Sequence, residues 1–253
     1  MAVLPIRSIL DFESYILSFA GQQSLNGVVI YPPRIDDLYS LYSTVRMKKS
    51  IAILEFGSGW STLALTLALD ENKSSYENYV NSHIRHPNAY SLMSVDCSSE
   101  FQSIALDRIQ KPLNPDLVIP IISSARMTVL NGQACHIYDE IPPFTADFIY
   151  LDGPDCNQVG GDVNGMSVRF GSPEYMYGLP MSGDLLVLEP FIWPGTVIVT
   201  DGRGANAYFL KNNFRRKWDY HYDSRVDQHT FELLDDPWGG ISEALIKFRN
   251  LPT

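Results

Sequence analysis

Residues 51–69, IAILEFGSGWSTLALTLAL, restrict the fold more than any other stretch of the chain. A short apolar run ends at Glu55, the chain breaks at Gly57, Ser58 and Gly59, and hydrophobic residues resume with Ser61 and Thr62 in a first helical turn. Strand, tight turn and helix in that order form the ligand-binding corner of a doubly wound α/β fold, where backbone N–H groups face the ligand. Gly57 suits a turn with φ > 0, and Gly59 lets the backbone come close to whatever lies across it. On this reading a valine at Gly57 enters the ligand's path and leaves the fold largely intact.

A related pattern returns further along. Tyr90 to Val95 reads as a second strand ending in Asp96, followed by Ser98 or Ser99 as the cap of a helix with Phe101, Ile104, Ala105 and Ile109 on its apolar side. A carboxylate at that strand end can accept from both hydroxyls of a ribose. Leu117 to Ile122 is a third apolar run. Met127 to Leu130 and Cys135 to Tyr138 flank Asn131-Gly132, a pair that favours hairpin turns; Ala134 to Glu140 stays open between strand and short helix. Asp147 to Leu151 is the fourth strand and runs into Asp152-Gly153-Pro154-Asp155, while Thr196 to Thr200 is the fifth and ends in Asp201. Trp218, Tyr220 and Tyr222 alternate with polar neighbours as a sixth. A seventh falls either on His229 to Leu234 or on Ala244 to Phe248, and the second is preferred. The acids closing strands two, four and five all point to the crevice outside the strand ends that Gly57 borders.

Residues 1–50 are expected to supply two covering helices. One carries Ile9, Phe12, Ile16 and Phe19 on a single stripe; the other is capped by Asp36 and carries Leu38, Leu41 and Val45, with Tyr31 to Arg34 as a turn before it. Residues 71–89, polar and rich in Asn, Ser and Tyr with room for helical content, and residues 155–181 read as insertions. Arg169, Phe170, Tyr175, Met176 and Tyr177 make the second one an acceptor-site lid. His83 and His86 have the spacing of two ligands on a helix face, but no carboxylate or cysteine nearby completes a metal site. Lys211, Arg215, Arg216 and Lys217 close a helix that begins after Asp201-Gly202-Arg203, where cations complement the macrodipole.

With 253 residues, 45% of them hydrophobic, the chain can bury one full core, so residues 1–253 are expected as a single domain. Its formal charge of −10 offers no footprint for a phosphate backbone, which argues against nucleic acid. No run approaches the ~18 apolar residues of a membrane span. Cys97, Cys135 and Cys156 are odd in number and lack metal-type spacing, which makes a reducing cytoplasm the expectation.

Glu55-x-Gly57-x-Gly59-x-Ser61 resembles motif I of the class I S-adenosylmethionine-dependent methyltransferases. Tyr150 to Pro154, YLDGP, resembles the fourth-strand motif of members that modify small molecules and sugars. The resemblance implies a Rossmann-like, doubly wound, mostly parallel seven-stranded α/β sheet with helices on both faces and an antiparallel last strand. It implies S-adenosylmethionine as cofactor, with Glu55, Gly57, Ser58, Gly59, Trp60 and Ser61 around the loop beneath its methionine part. Asp96 would take the ribose, with Cys97 and Ser123 to Arg126 near the adenine. The implied activity is methyl transfer to oxygen, or secondarily nitrogen, of a small-molecule acceptor such as a sugar or phenolic metabolite. Asp152 and Asp201 would line the reaction centre, Arg203 would orient the acceptor, and His229 is a reserve base. Paired acids on strands four and five also resemble the Mg²⁺ ligands of metal-dependent O-methyltransferases, but Gly202 stands where that group commonly places a third Asp or Asn. Two carboxylates alone could hold a hydrated Mg²⁺; the departure weighs against metal dependence. An NAD-type oxidoreductase competes through the glycine turn and Asp96, yet Thr62 occupies the third small-residue position of the dinucleotide fingerprint. A non-catalytic nucleotide-binding protein is the third reading, and the oligomeric state, a homo-oligomer included, stays open.

Overall fold

A computed structural model describes residues 6–19, 24–25, 28–29, 31–109, 113–168 and 181–252. In chain order the elements are α1 (Ile9–Leu17), the short pair β1 (Ser24–Leu25) and β2 (Val28–Val29), α2 (Ile35–Met47), β3 (Ala52–Phe56), α3 (Trp60–His83), β4 (Ser91–Asp96), α4 (Ser99–Arg108) and β5 (Val118–Ile122). There follow β6 (Ala125–Leu130), β7 (Gln133–Tyr138), β8 (Phe148–Leu151), β9 (Val159–Gly160), α5 (Asp184–Leu188), β10 (Val197–Thr200), α6 (Gly204–Asn213), β11 (Trp218–Asp223), β12 (Gln228–Leu233) and α7 (Gly240–Arg249).

The main sheet has seven strands in the order β11, β12, β10, β8, β3, β4, β5. Only β12 runs against its neighbours, pairing antiparallel with both β10 and β11. The strand order reverses between β3 and β8, which places the topological switch point, and hence the ligand crevice, at the carboxyl ends of those two strands. Successive residues of a strand face opposite sides, and the core divides accordingly. Ile53 of β3, Phe148 and Tyr150 of β8, and Val197 and Val199 of β10 pack into one cluster with α1, α2, α3 and α7. Leu54, Phe56, Ile149, Leu151 and Ile198 pack into the other with α5, α6 and the β6–β7 hairpin. The fold is therefore the expected Rossmann-like α/β arrangement, helices on both faces and a reversed strand included.

Several expectations change. The reversed strand is β12, not Ala244 to Phe248: Phe231 and Leu233 alternate into the core, whereas Leu245 and Phe248 are three apart and bury one face of helix α7. Residues 71–89 are mostly helix, because α3 continues unbroken to His83. Its first half is buried on all sides and its second half keeps only a thin inward line, including buried Asn72 and Val80. Asp36 lies in the first turn of α2 rather than capping it; Arg34 is the cap residue and makes no side-chain cap bond. Ala134 to Glu140 resolves as strand β7, joined to β6 through Asn131 and Gly132 at φ 50° and 75°.

The described part of 155–181 contributes β9, which pairs parallel to β6 and extends the hairpin into a second, three-stranded sheet. Arg169, Phe170, Tyr175, Met176 and Tyr177 lie outside the described residues. His83 and His86 do not share a helix face: His83 stacks on Tyr79 at 4.3 Å, while His86 lies beyond the helix end against Trp193. No helix among the described residues is long and apolar enough to cross a membrane.

Candidate active site

The crevice is assembled from loops that each follow a strand. After β3 the chain turns at Gly57, φ +94°, whose N–H donates to Val95 O at 2.8 Å. Across from it, after β8, stands Gly153. A Cβ on Gly57 would come 2.9 Å from Gly153 N, and one on Gly153 would come 2.6 Å from the Gly57 backbone. The two glycines thus let the loops of the switch point touch backbone to backbone. Around Gly59, by contrast, a Cβ would meet nothing within 4 Å. The open space beside this loop belongs to Gly59, and the expectation that a valine at Gly57 would enter the ligand's path is corrected: it would push Gly153 away.

Glu55 lies wholly buried beneath the loop and does not line the crevice. Its carboxyl accepts from the hydroxyls of Ser61 (2.6 Å), Thr62 (2.8 Å) and Ser94 (2.6 Å). Loss of water raises its pKa to about 7 against the opposing pull of those hydroxyls. Thr62 in turn accepts from Gly59 N at 2.9 Å, so Glu55 and Thr62 together pin the loop to the start of α3. That is why a threonine stands where a dinucleotide fingerprint would have a small residue.

Asp96, at the end of β4, opens onto the crevice while its two oxygens accept from Ser58 N (2.6 Å) and Ser98 N (2.7 Å). Burial raises its pKa, and these N–H bonds oppose the rise. Cys97 turns away from the crevice into the apolar cluster, and burial lifts its thiol to about 12. Trp60 begins α3 and lines the crevice, with its indole N–H donating to Tyr31 O at 2.8 Å.

At the other side stand the ends of β8 and β10. The Arg203 guanidinium donates to Asp152 O (2.8 Å) and Pro154 O (3.1 Å), and its nitrogens lie 3.5 Å from Asp152 Oδ1 and 3.3 Å from Asp201 Oδ2. Desolvation in the crevice, reinforced by the Asp201 carboxylate, holds the Asp152 pKa well above the ordinary value, with Arg203 opposing. The cavity lined by Asp152, Gly153 and Arg203 together with the glycine loop, Trp60 and Asp96 is about 330 Å³, at the small end of ligand-sized pockets; Asp201, expected at the reaction centre, pairs with Arg203 but is not among the lining residues.

Not every expected residue gathers here. His229 pairs with Tyr220 Oη at 2.9 Å, stacks on Tyr222 at 4.5 Å and does not line the crevice; burial lowers its pKa. Ser123 is spent on the backbone of Ser124 and Glu140, and Arg126 pairs with Asp139 at 2.6 Å. Gly202 has a packing reason: a Cβ there would collide with the Asp227 carboxylate from the β11–β12 turn. No group of three or more metal-type side chains is gathered among the described residues. Conversely, Asp37, Phe101, Ile104, Arg108 and Gln158 line the crevice without having been marked by the sequence. Phe101, Ile104 and Arg108 follow each other at i, i+3 and i+7, a helical face that apolar periodicity alone assigns to the core.

No protein-family model matches the chain, and no curated protein sequence matches it. Solved structures do. The methyltransferase PaMTH1 of Podospora anserina, bound to S-adenosylhomocysteine, is 12% identical over 91% of this chain and 89% of its own, with a TM-score of 0.51. An O-methyltransferase of Bacillus cereus in complex with S-adenosylhomocysteine is 16% identical over 92% and 93% (TM-score 0.44). The O-methyltransferase TomG of Streptomyces achromogenes, in complex with S-adenosylmethionine, is 13% identical over 92% of each chain (TM-score 0.43). At such identities the likeness is one of backbone, and on it this chain has the Rossmann-like fold of the class I S-adenosylmethionine-dependent methyltransferases.

Proposed function

We propose that the protein transfers a methyl group from S-adenosylmethionine to an oxygen of a small-molecule acceptor such as a sugar or phenolic metabolite. One observation carries the reading: the glycine loop, Asp96, Asp152 and Arg203 border a single crevice at the switch point, with Asp201 held to its edge through Arg203. Gly59 leaves room for a ligand chain across the loop, and Asp96 keeps a second lone pair on each oxygen for ribose hydroxyls. The donor supplies a methyl carbon on a sulfonium, ready for in-line displacement. The chain then has two tasks, holding the acceptor against that carbon and taking one proton from it.

Asp152 and Asp201 suit the second task. The neighbouring Asp201 carboxylate raises the affinity of Asp152 for a proton, which suits Asp152 to take the hydroxyl proton of the acceptor. Arg203 steadies both and limits their repulsion. Asp155 and Gln158, described residues of 155–181, line the crevice, which supports the reading of that segment as an acceptor-site lid. The Glu55–Thr62 pin favours this reading over a dinucleotide oxidoreductase, and the net charge of −10 disfavours a nucleic-acid acceptor.

Calorimetric titration with S-adenosylmethionine, S-adenosylhomocysteine and NAD is the direct test. The first two should bind and NAD should not; the reverse result would overturn the proposal. Methyl release from labelled cofactor across a panel of hydroxylated metabolites then identifies the acceptor. Asp152→Ala should retain S-adenosylhomocysteine affinity and lose roughly 100- to 10,000-fold in turnover.

A further inference from the structure

Among the described residues, three arginines line the crevice. Arg34 is largely exposed and pairs with Asp37 at 2.9 Å, and Arg203 is bound by backbone carbonyls and the Asp152–Asp201 pair. Arg108 differs from both. It is 8% exposed, ends α4 and has no hydrogen bond or ion pair with any described residue. Its guanidinium lies flat over the Trp60 ring, 3.6 Å from the ring centre. Burial pulls its pKa to about 10, which still leaves it charged at neutral pH.

Stacking on an indole holds the face of the guanidinium but uses none of its five in-plane N–H groups, and these are not sealed off from solvent, so they are available to a ligand in the crevice. Trp60 is the first residue of the 24-residue helix α3, whose amino end favours negative charge. An anion bound between the guanidinium fork and that end of the crevice would meet both. With one face held by Trp60, the fork is already oriented for two-point pairing with a carboxylate.

The same crevice is lined by Asp152, which shares Arg203 with Asp201, so that two carboxyls face one guanidinium and the group is suited to a further positive charge. The crevice therefore asks for a ligand with a cation near one side and an anion near the other, and the cofactor named above has a sulfonium and an α-carboxylate. We infer that Arg108, held flat by Trp60, anchors the α-carboxylate of the donor's amino-acid part and so sets the position of the methyl group; this rests on the proposed function.

The test is a thermodynamic cycle by calorimetry on the full chain, using S-adenosylhomocysteine and its decarboxylated analogue with the parent, Arg108→Gln and Arg108→Lys. The parent should prefer the carboxylate form by roughly 10- to 100-fold. Arg108→Gln should lose that preference while binding the decarboxylated analogue as the parent does, and Arg108→Lys should recover part of it. Equal weakening of both ligands would mean that Arg108 acts on the adenosine part or through the packing of α4, and it would overturn the inference. So would an unchanged preference; if the acceptor KM alone then rose, the anion would belong to the acceptor. A parent that binds neither nucleoside removes the methyltransferase reading itself, an outcome distinct from the loss of carboxylate selectivity.

Discussion

Gly57 and Gly59 are two positions apart, and their surroundings make opposite demands. Gly57 has φ +94° and a Cβ there would come 2.9 Å from Gly153 N, so Gly57→Val should cost roughly 2–4 kcal/mol in urea denaturation, through strain and displacement of the β8 loop. Gly59 has extended backbone, φ −174°, and open space around it. Gly59→Val should melt within about 3 °C of the parent and lose at least about tenfold in S-adenosylhomocysteine affinity, because its side chain enters the ligand's space. A Gly59→Val protein with parental affinity would remove the ligand from that side of the loop. Glu55 gives a pH dependence. Its pKa rises from 4.5 to about 7 on folding, so the native state holds an extra proton between those values. The associated stability is complete below about pH 4.5 and is lost as pH rises through about 7, by about 3 kcal/mol. Glu55→Gln is neutral throughout, so its stability relative to the parent should improve between about pH 5 and about pH 8. Parallel urea midpoints over that range would show Glu55 charged in the native state.

At the scale of elements, α3 shows how a polar stretch can be structural. Asn72 is fully buried, donates to Val45 O (3.1 Å) and Ser50 O (2.8 Å), and accepts from Arg46, which ties the middle of α3 to the end of α2. Asn72→Leu keeps the bulk but takes the side-chain donor from the Ser50 carbonyl and one of two donors from the Val45 carbonyl, so it should lower stability by about 2–4 kcal/mol in chemical denaturation. A neutral result would mean that the α2–α3 contact rests on apolar packing alone. Residues 71–89 read as an insertion because a helix with so few inward apolar residues lacks the 3.6-residue stripe; tertiary hydrogen bonding supplies what the stripe does not. The choice between β12 and α7 failed for a related reason. Both are short, and only the partner surface, strand β10 for one and the α3 side of the sheet for the other, selects the period that matters.

For the whole molecule, the sheet has two working edges. The carboxyl edge holds the crevice; the amino edge holds Asp147, which accepts from Ile51 N (3.0 Å) and Ala52 N (3.1 Å) and faces Arg249 of α7 at 3.4 Å. Arg249 also donates to the carbonyls of Gly195 and Asp147, so the last helix is clamped under three central strands. Arg249→Met should therefore cost about 3–5 kcal/mol by leaving Asp147 buried without its cation, with S-adenosylhomocysteine affinity unchanged. Loss of binding at full occupancy of the folded state would show that the two edges are coupled. Six of the seven strands of the main sheet, their order along the chain and the acids at the strand ends follow from the sequence by itself, because apolar runs, glycine turns and terminal carboxylates are local signals. Tertiary structure alone decided that Glu55 points beneath the loop, that Cys97 and His229 turn away, and that Arg108 enters the crevice on a face counted as core. A side chain's direction and the water it loses depend on which loops and helices meet in space, and that meeting joins residues far apart in the chain.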